Sequence, residues 1–299
     1  MIAGTDPVSA NVPRVHTKLD AWVRALLVDP IGKGPLVECE GGFTSAYGRR
    51  YAMVGGIPDL RRIVAGDAGD AQVWRVGQLQ YEAWSRRLVE QDCIQDYRGE
   101  IEGVREVYAE IPLVGRVLDV GGHQGRLREF LQAGQEYLSC DPYIEVFDSL
   151  HLQAQLLAAY RCLAQPCNFL AAHAEHLPLA ESAFDTVHMR SVIDHLRDPA
   201  LALLEAFRVL KPGGALVVGL YVEGGRSGRR TARESAKEIV RGLLPYVGVR
   251  RFEDHHVWHP TFAELGDLIG SCGFSIDKVH WQRAWKDRVC YVLARKPMA

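Results

Sequence analysis

The sequence lacks a cysteine pair with metal-binding or redox spacing, a long apolar run and an excess of one charge. Its seven cysteines are scattered without any C-x-x-C pair, which fits reduced thiols better than a disulfide framework. No window approaches about 18 uninterrupted apolar residues, and the N-terminus lacks an apolar signal core, so we expect no membrane partner and a cytoplasmic location. The net charge of −2 argues against a broad nucleic-acid-binding face.

The composition is that of an ordinary globular protein, with 47% hydrophobic and 24% charged residues among 299, enough for a core of normal size. Residues 1–18 are expected to form a flexible tail. Residues 19–65 are rich in glycine and predict a small β appendage built of hairpins. Residues 70–111 space their apolar side chains in threes and fours, which predicts a helical cap or lid.

Residues 112–299 have the rhythm of a nucleotide-binding domain. Apolar strands such as RVLDVGG, EYLSCD and ALVVGLYV alternate with helical segments, predicted over about 126–133 and 145–163 among others, which is typical of βαβ units. We therefore predict an α/β fold with a doubly wound, mostly parallel seven-stranded sheet and an antiparallel C-terminal edge strand, plus a small N-terminal β ribbon and a helical lid. The Arg-rich insertion at 222–258 predicts either a mobile lid or a solvated face.

A glycine-rich turn, DVGGHQG, follows the first strand of this domain. Glycines let backbone amides approach a ligand without interference from a Cβ atom, although His123 stands where a middle glycine is expected. Asp141 lies 22 residues after Asp119, at the end of the next strand. A carboxylate there can accept hydrogen bonds from both hydroxyls of a ribose. Loop and acid together predict a nucleotide-type cofactor site.

Four segments in order resemble the class I S-adenosylmethionine-dependent methyltransferases, of the ubiquinone/menaquinone-biosynthesis type (methyltransferase type 11). They are VLDVGGHQG, SCDPY, AAHAEHLPLAESAFDTVHMRSVIDHLRDP and VLKPGGALVV. The resemblance covers roughly residues 112–295. It implies that the protein is an enzyme that uses S-adenosylmethionine and releases S-adenosylhomocysteine.

The resemblance also implies which residues bind the cofactor. His173 stands where many relatives carry an aspartate for the adenine amino group, so the Ala174 amide and Glu175 are the candidates to replace that contact. His123 predicts a reshaped loop rather than a lost one, because histidine tolerates positive φ better than most residues. The expected cofactor-binding residues are Asp119, Gly121, Gly122, His123, Gly125, Asp141, Pro142, His173, Ala174, Glu175, Arg190 and Ser191.

The acceptor side of the site is predicted from histidines and aromatic residues. The stretch DHHVWHPTF offers His255 or His256 as a general base, since an imidazole can take a hydroxyl proton near neutral pH. His195 is an alternative, because relatives often direct this position toward the methyl group. A metal site there is the weaker interpretation and a structural turn the other, so we predict no metal. The expected substrate contacts are Tyr81, Trp84, Trp258 and His259.

The appendage carries a second resemblance. LLVDPIGKGPLVECEGGFTSAYGRRYAMVGGIPDL is similar to small zinc ribbons, a family that includes the activator subunit of tRNA and protein methyltransferases. Asp29, Gly32, Thr44 and Tyr47 occupy the positions of the four cysteines, and Cys39 lies off that pattern. Because tetrahedral zinc needs four thiolate or imidazole ligands, we expect a zinc-free ribbon that depends on packing against the main domain.

The sequence thus predicts methyl transfer to a small-molecule acceptor, as an O-methyltransferase with a histidine base, in a natural-product pathway. The ribbon resemblance keeps methylation of tRNA or protein as a second hypothesis, against which the charge balance argues. A third hypothesis is a cofactor-binding fold with a scaffold role or a reaction other than methyl transfer.

Overall fold

The computed structural model describes residues 16–61, 79, 83, 87, 97–147, 154–243 and 256–298. Most of the predicted tail and much of the predicted cap lie outside the described residues. Three predicted site residues also lie outside them, namely Tyr81, Trp84 and His255.

The N-terminal part forms the small β appendage that the hairpin pattern predicts. A short strand β1 (Thr17–Lys18) and a helical turn α1 (Ala21–Arg24) come first. An antiparallel sheet follows, made of β2 (Leu36–Cys39), β3 (Gly42–Ser45), β4 (Arg50–Val54) and β5 (Ile57–Pro58). Phe43 of β3 is buried in the hydrophobic core that the appendage shares with the main domain, so this sheet is packed rather than free.

The larger domain alternates helices and strands. Its helices are α2 (Tyr97–Glu110), α3 (Ala154–Ala159), α4 (Pro199–Val209), α5 (Ala232–Leu243) and α6 (Phe262–Ser271). Its strands are β6 (Val117–Val120), β7 (Tyr137–Asp141), β8 (Cys167–Ala171), β9 (Phe184–Arg190), β10 (Leu210–Tyr221), β11 (Ser275–Trp281) and β12 (Val289–Arg295). Short 3₁₀ turns lie at Arg126–Phe130, Glu145–Phe147, Arg161–Ala164, Ala174–His176, Ile193–His195, Gly225–Ser227 and Arg283–Trp285.

The strand order confirms the predicted fold class. The large sheet runs β1-β8-β7-β6-β9-β10-β12-β11, and β6 to β10 pair in parallel. The C-terminal hairpin closes one end, where β12 is antiparallel to both β10 and β11. The described sheet has eight strands rather than seven, because Thr17 and Lys18, predicted as tail, pair with Cys167 and Asn168.

The segment after the glycine-rich loop differs from the helix predicted over about 126–133. It is a 3₁₀ turn of five residues, and it ends where Leu131 adopts an extended conformation, with φ −88° and ψ 155°. The predicted helix over about 145–163 is α3 flanked by 3₁₀ turns in its described part. Apolar spacing predicts which face is buried, but it does not separate a short 3₁₀ turn from an α-helix.

Hydrophobic layers cover both faces of the sheet. On one face, Leu203 of α4 and Leu265 of α6 belong to the same fully buried core. On the other face, Val104 and Tyr108 of α2 pack in a second core with Tyr291 of β12. Each fully buried aliphatic side chain contributes roughly 1.5–3 kcal/mol, so the sheet is held from both sides and its carboxyl edge stays fixed.

Helices α4 and α6 begin at sequence-encoded caps. The Asp198 carboxylate accepts a hydrogen bond from the Leu201 amide at 2.9 Å, and Pro199 occupies the first turn. Thr261 and Glu264 form a reciprocal capping box. Among the described residues, no helix combines the length and the apolar character needed to cross a membrane.

Candidate cofactor and acceptor site

The glycine-rich loop lies at the carboxyl end of β6, in the middle of the parallel strands. Gly121 and Gly125 adopt positive φ, 70° and 82°. A Cβ atom on Gly121 would lie 2.3 Å from Cγ2 of Val192, and one on Gly122 would lie 2.6 Å from Oδ2 of Asp119. Only glycine fits at these two positions, which leaves the backbone accessible from the open side of the loop.

His123 keeps the loop in the left-handed conformation, with φ 45°. Its amide donates to Oδ2 of Asp141 at 3.2 Å, and its carbonyl accepts from the Ser139 hydroxyl at 2.9 Å. Burial, then the charges of Arg126 and His195, lower the pKa of His123 from 6.5 to about 3. The ring is therefore neutral at physiological pH, and the loop is fastened to β7 through its backbone.

Asp119, near the end of β6, supports the glycine-rich loop from within the sheet. It is buried, with its Oδ2 accepting from the Tyr137 hydroxyl at 2.7 Å and its Oδ1 lying 2.8 Å from Nδ1 of His188. Nε2 of His188 lies 2.8 Å from the Tyr108 hydroxyl of α2. The Asp119 carboxylate thus joins the loop to neighbouring strands and, through His188, to helix α2.

Asp141 ends β7 beside the loop. Its side chain is only 2% exposed, and its Oδ1 accepts from the Tyr143 amide at 2.9 Å. The carbonyl of Pro142 accepts from Arg61 at 3.0 Å. Arg61 belongs to the end of the appendage, so the N-terminal part contributes to this rim.

The segment after β8 forms the adjoining rim. Burial, then the charge of Arg61, lowers the pKa of His173 from 6.5 to about 4. Burial raises the pKa of Glu175, whose Oε1 accepts from the Arg197 amide at 3.1 Å. Glu175 thereby fastens the loop before α4, and Ala174 beside it is buried.

Three buried side-chain atoms have no hydrogen-bond partner in the described part of the chain: Oε1 of Gln124, Nε of Arg126 and Oδ1 of Asp194. An unsatisfied buried polar atom costs about 1–3 kcal/mol. Gln124 and Arg126 adjoin the loop, and Asp194 lies two residues after Val192, which touches Gly121. All three residues follow strands at the carboxyl edge of the sheet, where a polar ligand such as S-adenosylmethionine would supply the missing partners.

Charged and aromatic groups border the loop on the α2 side. The Arg126 guanidinium stands over the rings of Tyr97 and Tyr160, at 5.7 and 5.8 Å from their centroids. Arg190, at the end of β9, donates to Oε1 of Glu100 at 3.0 Å. Ser191 follows with φ 51°. The predicted cofactor residue Arg190 is thus engaged with α2.

The structure brings His195 and His256 together with a residue the sequence did not indicate. Their rings stack at a centroid distance of 4.5 Å. Nε2 of His256 lies 3.5 Å from Oδ2 of Asp194, and Nε2 of His195 lies 3.9 Å from Oδ1 of the same carboxylate. One ligand-type atom from each residue lies within 4.8 Å of the others. We call Asp194, His195 and His256 the acceptor-side cluster.

The acceptor-side cluster is held in place through the main chain. The amides of Val257 and Trp258 both donate to the Asp194 carbonyl, at 2.7 and 3.1 Å. The His259 ring stands edge-on to His256, with centroids 5.8 Å apart. His195 is close enough to His123 to lower the pKa of that ring. The DHHVWHPTF stretch, in its described part, therefore adjoins the glycine-rich loop.

Sequence reasoning missed Arg61, Gln124, Arg126 and Asp194. A usable signal existed for Gln124 and Arg126, because they lie within and directly after the glycine-rich turn. Asp194 also precedes the predicted His195. Arg61 gave no signal, since its place at the rim depends on how the appendage packs.

The fold and the loop define a Rossmann-like methyltransferase, and comparisons agree. A family model described as "Methyltransferase domain" matches residues 118–218. An uncharacterized methyltransferase of Mycobacterium tuberculosis is 33% identical over 194 residues, which cover 61% of this chain and 74% of that protein. The chain belongs to the class I S-adenosylmethionine-dependent methyltransferases, which confirms the predicted enzyme class.

Other relatives differ in what their names say they act on. A tRNA U34 carboxymethyltransferase of Hydrogenovibrio crunogenus is 31% identical over 166 residues, which span 53% of this chain but only 44% of that enzyme. A ubiquinone/menaquinone biosynthesis C-methyltransferase of Haemophilus ducreyi is 45% identical over 51 residues, 17% of this chain and 20% of that protein. These matches therefore agree on the methyltransferase class but not on the acceptor.

A solved structure shares the fold. The 1,6-didemethyltoxoflavin-N1-methyltransferase of Burkholderia thailandensis aligns with a TM-score of 0.52 and 16% identity, covering 79% of this chain and 93% of that one. At that identity the similarity concerns the architecture alone.

Proposed function

We propose that the chain methylates a hydroxyl group of a small molecule, with a histidine of the acceptor-side cluster as general base. The observation that carries the proposal is the position of this cluster, beside the glycine-rich loop and at the carboxyl edge of the sheet. Bound S-adenosylmethionine supplies a methyl group already activated on a sulfonium centre. The protein's task is then to position the acceptor and to remove its proton.

The cofactor would be held by the loop and by the polar groups around it. Gly121 and Gly122 allow close approach of the backbone, and Asp141 is proposed to bind the ribose hydroxyls. The buried Nε of Arg126 and Oε1 of Gln124 are available to polar atoms of the ligand. The other residues assigned to the cofactor by resemblance remain part of this proposal.

His256 is the best-placed base among the described histidines. When an imidazole takes a hydroxyl proton it becomes positively charged, and the Asp194 carboxylate at 3.5 Å stabilises that charge. His195 stacks on the same ring and is the alternative. His255 remains a candidate from the sequence. Trp258 and His259 are proposed to bound the acceptor.

Titration calorimetry with S-adenosylmethionine and S-adenosylhomocysteine tests cofactor binding. The native chain should bind both ligands, and Asp141→Asn should weaken both, because an amide accepts the ribose hydroxyls less strongly than a carboxylate. Absence of binding at millimolar ligand would remove the methyl-transfer proposal and favour a scaffold or another reaction.

Radiolabelled methyl transfer to a panel of phenols and aliphatic alcohols tests the base. His256→Gln should lower kcat by roughly 10²–10⁴-fold without weakening cofactor binding, and His16→Gln, which changes a histidine outside the acceptor-side cluster, should leave it unchanged. Equal kcat in native and His256→Gln chains, and in His195→Gln chains, would refute the base assignment.

Methylation or carboxymethylation of tRNA is the second candidate, supported by the identity to the tRNA U34 enzyme. The net charge of −2 weakens it, because RNA binding depends on neutralising phosphates. Salt-sensitive binding of tRNA together with label transfer to the RNA would favour this candidate over a small-molecule acceptor.

For the small-molecule reaction, we propose a place in natural-product biosynthesis.

We also propose that the appendage is a zinc-free ribbon built around Asp29, at a position where the zinc family has a cysteine. Oδ1 of Asp29 accepts from the Ile31 and Gly32 amides at 2.8 and 3.0 Å, and its Oδ2 accepts from Arg49 at 3.1 Å. Burial raises the pKa of Asp29, but these hydrogen bonds outweigh it and lower the value from 3.8 to about 2. Metal analysis of the purified chain tests this proposal. We expect a zinc content at background, below about one zinc per ten chains.

A further inference from the structure

Helix α5 faces the protein with its polar side. Glu234 on α5 accepts hydrogen bonds from Arg288 and from the Thr231 amide, the latter at 2.7 Å. Its carboxylate side chain is only 14% exposed. Since an α-helix turns about 100° per residue, this contact fixes which side of α5 points away from the body of the protein.

The side opposite Glu234 is apolar and exposed. Ala232, Ala236, Ile239 and Val240 recur at the spacing of one helical face. The exposed fractions are 64% for Ile239 and 49% for Val240. A surface helix normally buries its apolar face and exposes its polar one, so the orientation of α5 is the reverse of the usual arrangement.

Positive charge accompanies this exposed apolar face. Residues 226–241 contain six basic and two acidic residues, in a chain whose net charge is −2. Arg233 and Lys237 on α5 are exposed beside the apolar positions, and Arg226 and Arg229 are exposed just before the helix. Arg230 is occupied by Glu223 and Glu264, so Arg226, Arg229, Arg233 and Lys237 form the cationic surface.

We propose that α5 binds the surface of an anionic lipid bilayer, lying in the interface with Ile239 and Val240 in contact with the acyl boundary. An apolar face flanked by Lys and Arg is the pattern of helices that lie on a membrane without crossing it. A bilayer with anionic headgroups complements both halves of this surface. RNA would use the charges but would leave the aliphatic side chains in water, so the exposed apolar face favours lipid.

The proposal departs from the sequence-based expectation of no membrane partner, because that expectation rested on the absence of crossing segments and did not test for a helix lying on a bilayer. The insertion also reaches the acceptor side, because Arg230 donates to the His259 carbonyl at 3.0 Å. The lipid-binding inference does not require the methyl-transfer proposal, and each can fail without the other.

Vesicle sedimentation with the full chain tests the inference. The native chain should bind vesicles of mixed phosphatidylglycerol and phosphatidylcholine and should bind phosphatidylcholine alone much more weakly. Ile239→Ala/Val240→Ala, which keeps helix propensity high, should weaken binding at least about tenfold. The control Ile31→Ala/Val37→Ala removes two comparably exposed aliphatic side chains elsewhere, of 44% and 63% exposure, and should bind as the native chain does.

Charge and RNA measurements complete the test. Arg233→Ser/Lys237→Ser should also weaken binding to the anionic vesicles roughly tenfold, with thermal unfolding unchanged in all variants. The proposal is overturned if the native chain does not sediment with anionic vesicles, or if the Ile239/Val240 variant binds them as tightly as native. Binding of tRNA that is lost in the charge variant but retained in the aliphatic variant, without vesicle binding, would assign the surface to nucleic acid instead.

Discussion

Acidification should destabilise the folded chain through the half-buried ring of His123. Burial, then the charge of Arg126, lowers its pKa from 6.5 to about 3. The unfolded chain therefore takes up a proton at a pH where the folded chain does not. On account of this ring, the free energy of unfolding is highest above about pH 6.5, and it falls progressively as the pH drops toward about 3.

The size of the effect follows from the difference between these two pKa values. At about pH 5.5 the free energy of unfolding should be about 1.4 kcal/mol lower than at about pH 8 on account of this ring alone. The charges of Arg126 and His195 oppose protonation of the His123 ring. The acid beside the ring is Asp141, whose Oδ2 lies 3.8 Å from Nε2 of His123. His173, whose pKa is lowered to about 4, should add a similar loss.

Urea unfolding followed by tryptophan fluorescence, at both pH values, measures the effect. Asparagine also tolerates positive φ and does not titrate, so His123→Asn should remove about 1.4 kcal/mol of the pH dependence while His173 keeps its share. Ser182→Asn, at an exposed position that also has positive φ (51°), serves as the control and should leave the dependence as it is. An identical pH dependence in native and His123→Asn chains would show that the ring is not held neutral by its surroundings.

Three further outcomes are expected. Asp29→Asn should lower the free energy of unfolding by about 2 kcal/mol in urea denaturation, since the amide replaces a charged acceptor of several hydrogen bonds; an unchanged midpoint would contradict this. Gly121→Ala should reduce S-adenosylhomocysteine affinity at least about tenfold in calorimetry because of the clash with Val192 and the positive φ, while Gly134→Ala, with open space around it, should not. Dialysis against EDTA should leave methyl transfer unchanged, and lost activity restored by a divalent cation would reassign the acceptor-side cluster as metal ligands.

The fold was predictable because its signals are local. Strand-forming runs, helix caps and turn glycines each act within about ten residues, and their order fixed a doubly wound sheet. The two-residue strand β1 could not be predicted, because Thr17 and Lys18 become a strand only by pairing with Cys167 and Asn168 far along the chain. The 3₁₀ turn at Arg126–Phe130 was missed because its apolar spacing resembles that of a helix.

The candidate site could be predicted from the sequence where a residue's place at the end of a strand sets its place at the sheet edge. The glycine-rich loop after β6 and Asp141 at the end of β7 are of this kind. Asp194 needed the tertiary structure, since its significance comes from burial beside His256, a residue more than sixty positions later. For the same reason, the spacing of DHHVWHPTF alone could not rank its histidines.

The appendage and the cofactor site should behave as one cooperative unit. Asp59 pairs in parallel with Ala171 at the end of β8, and the Leu60 amide donates to the Ala171 carbonyl at 2.8 Å. Arg61 then reaches Pro142 and lowers the pKa of His173. A ligand that binds only the folded rim stabilises everything that folds with it. S-adenosylhomocysteine should therefore restore part of the stability lost in Asp29→Asn, although Asp29 itself lies in the appendage. Such a recovery is expected if the appendage is a structural part of the enzyme rather than an independent module.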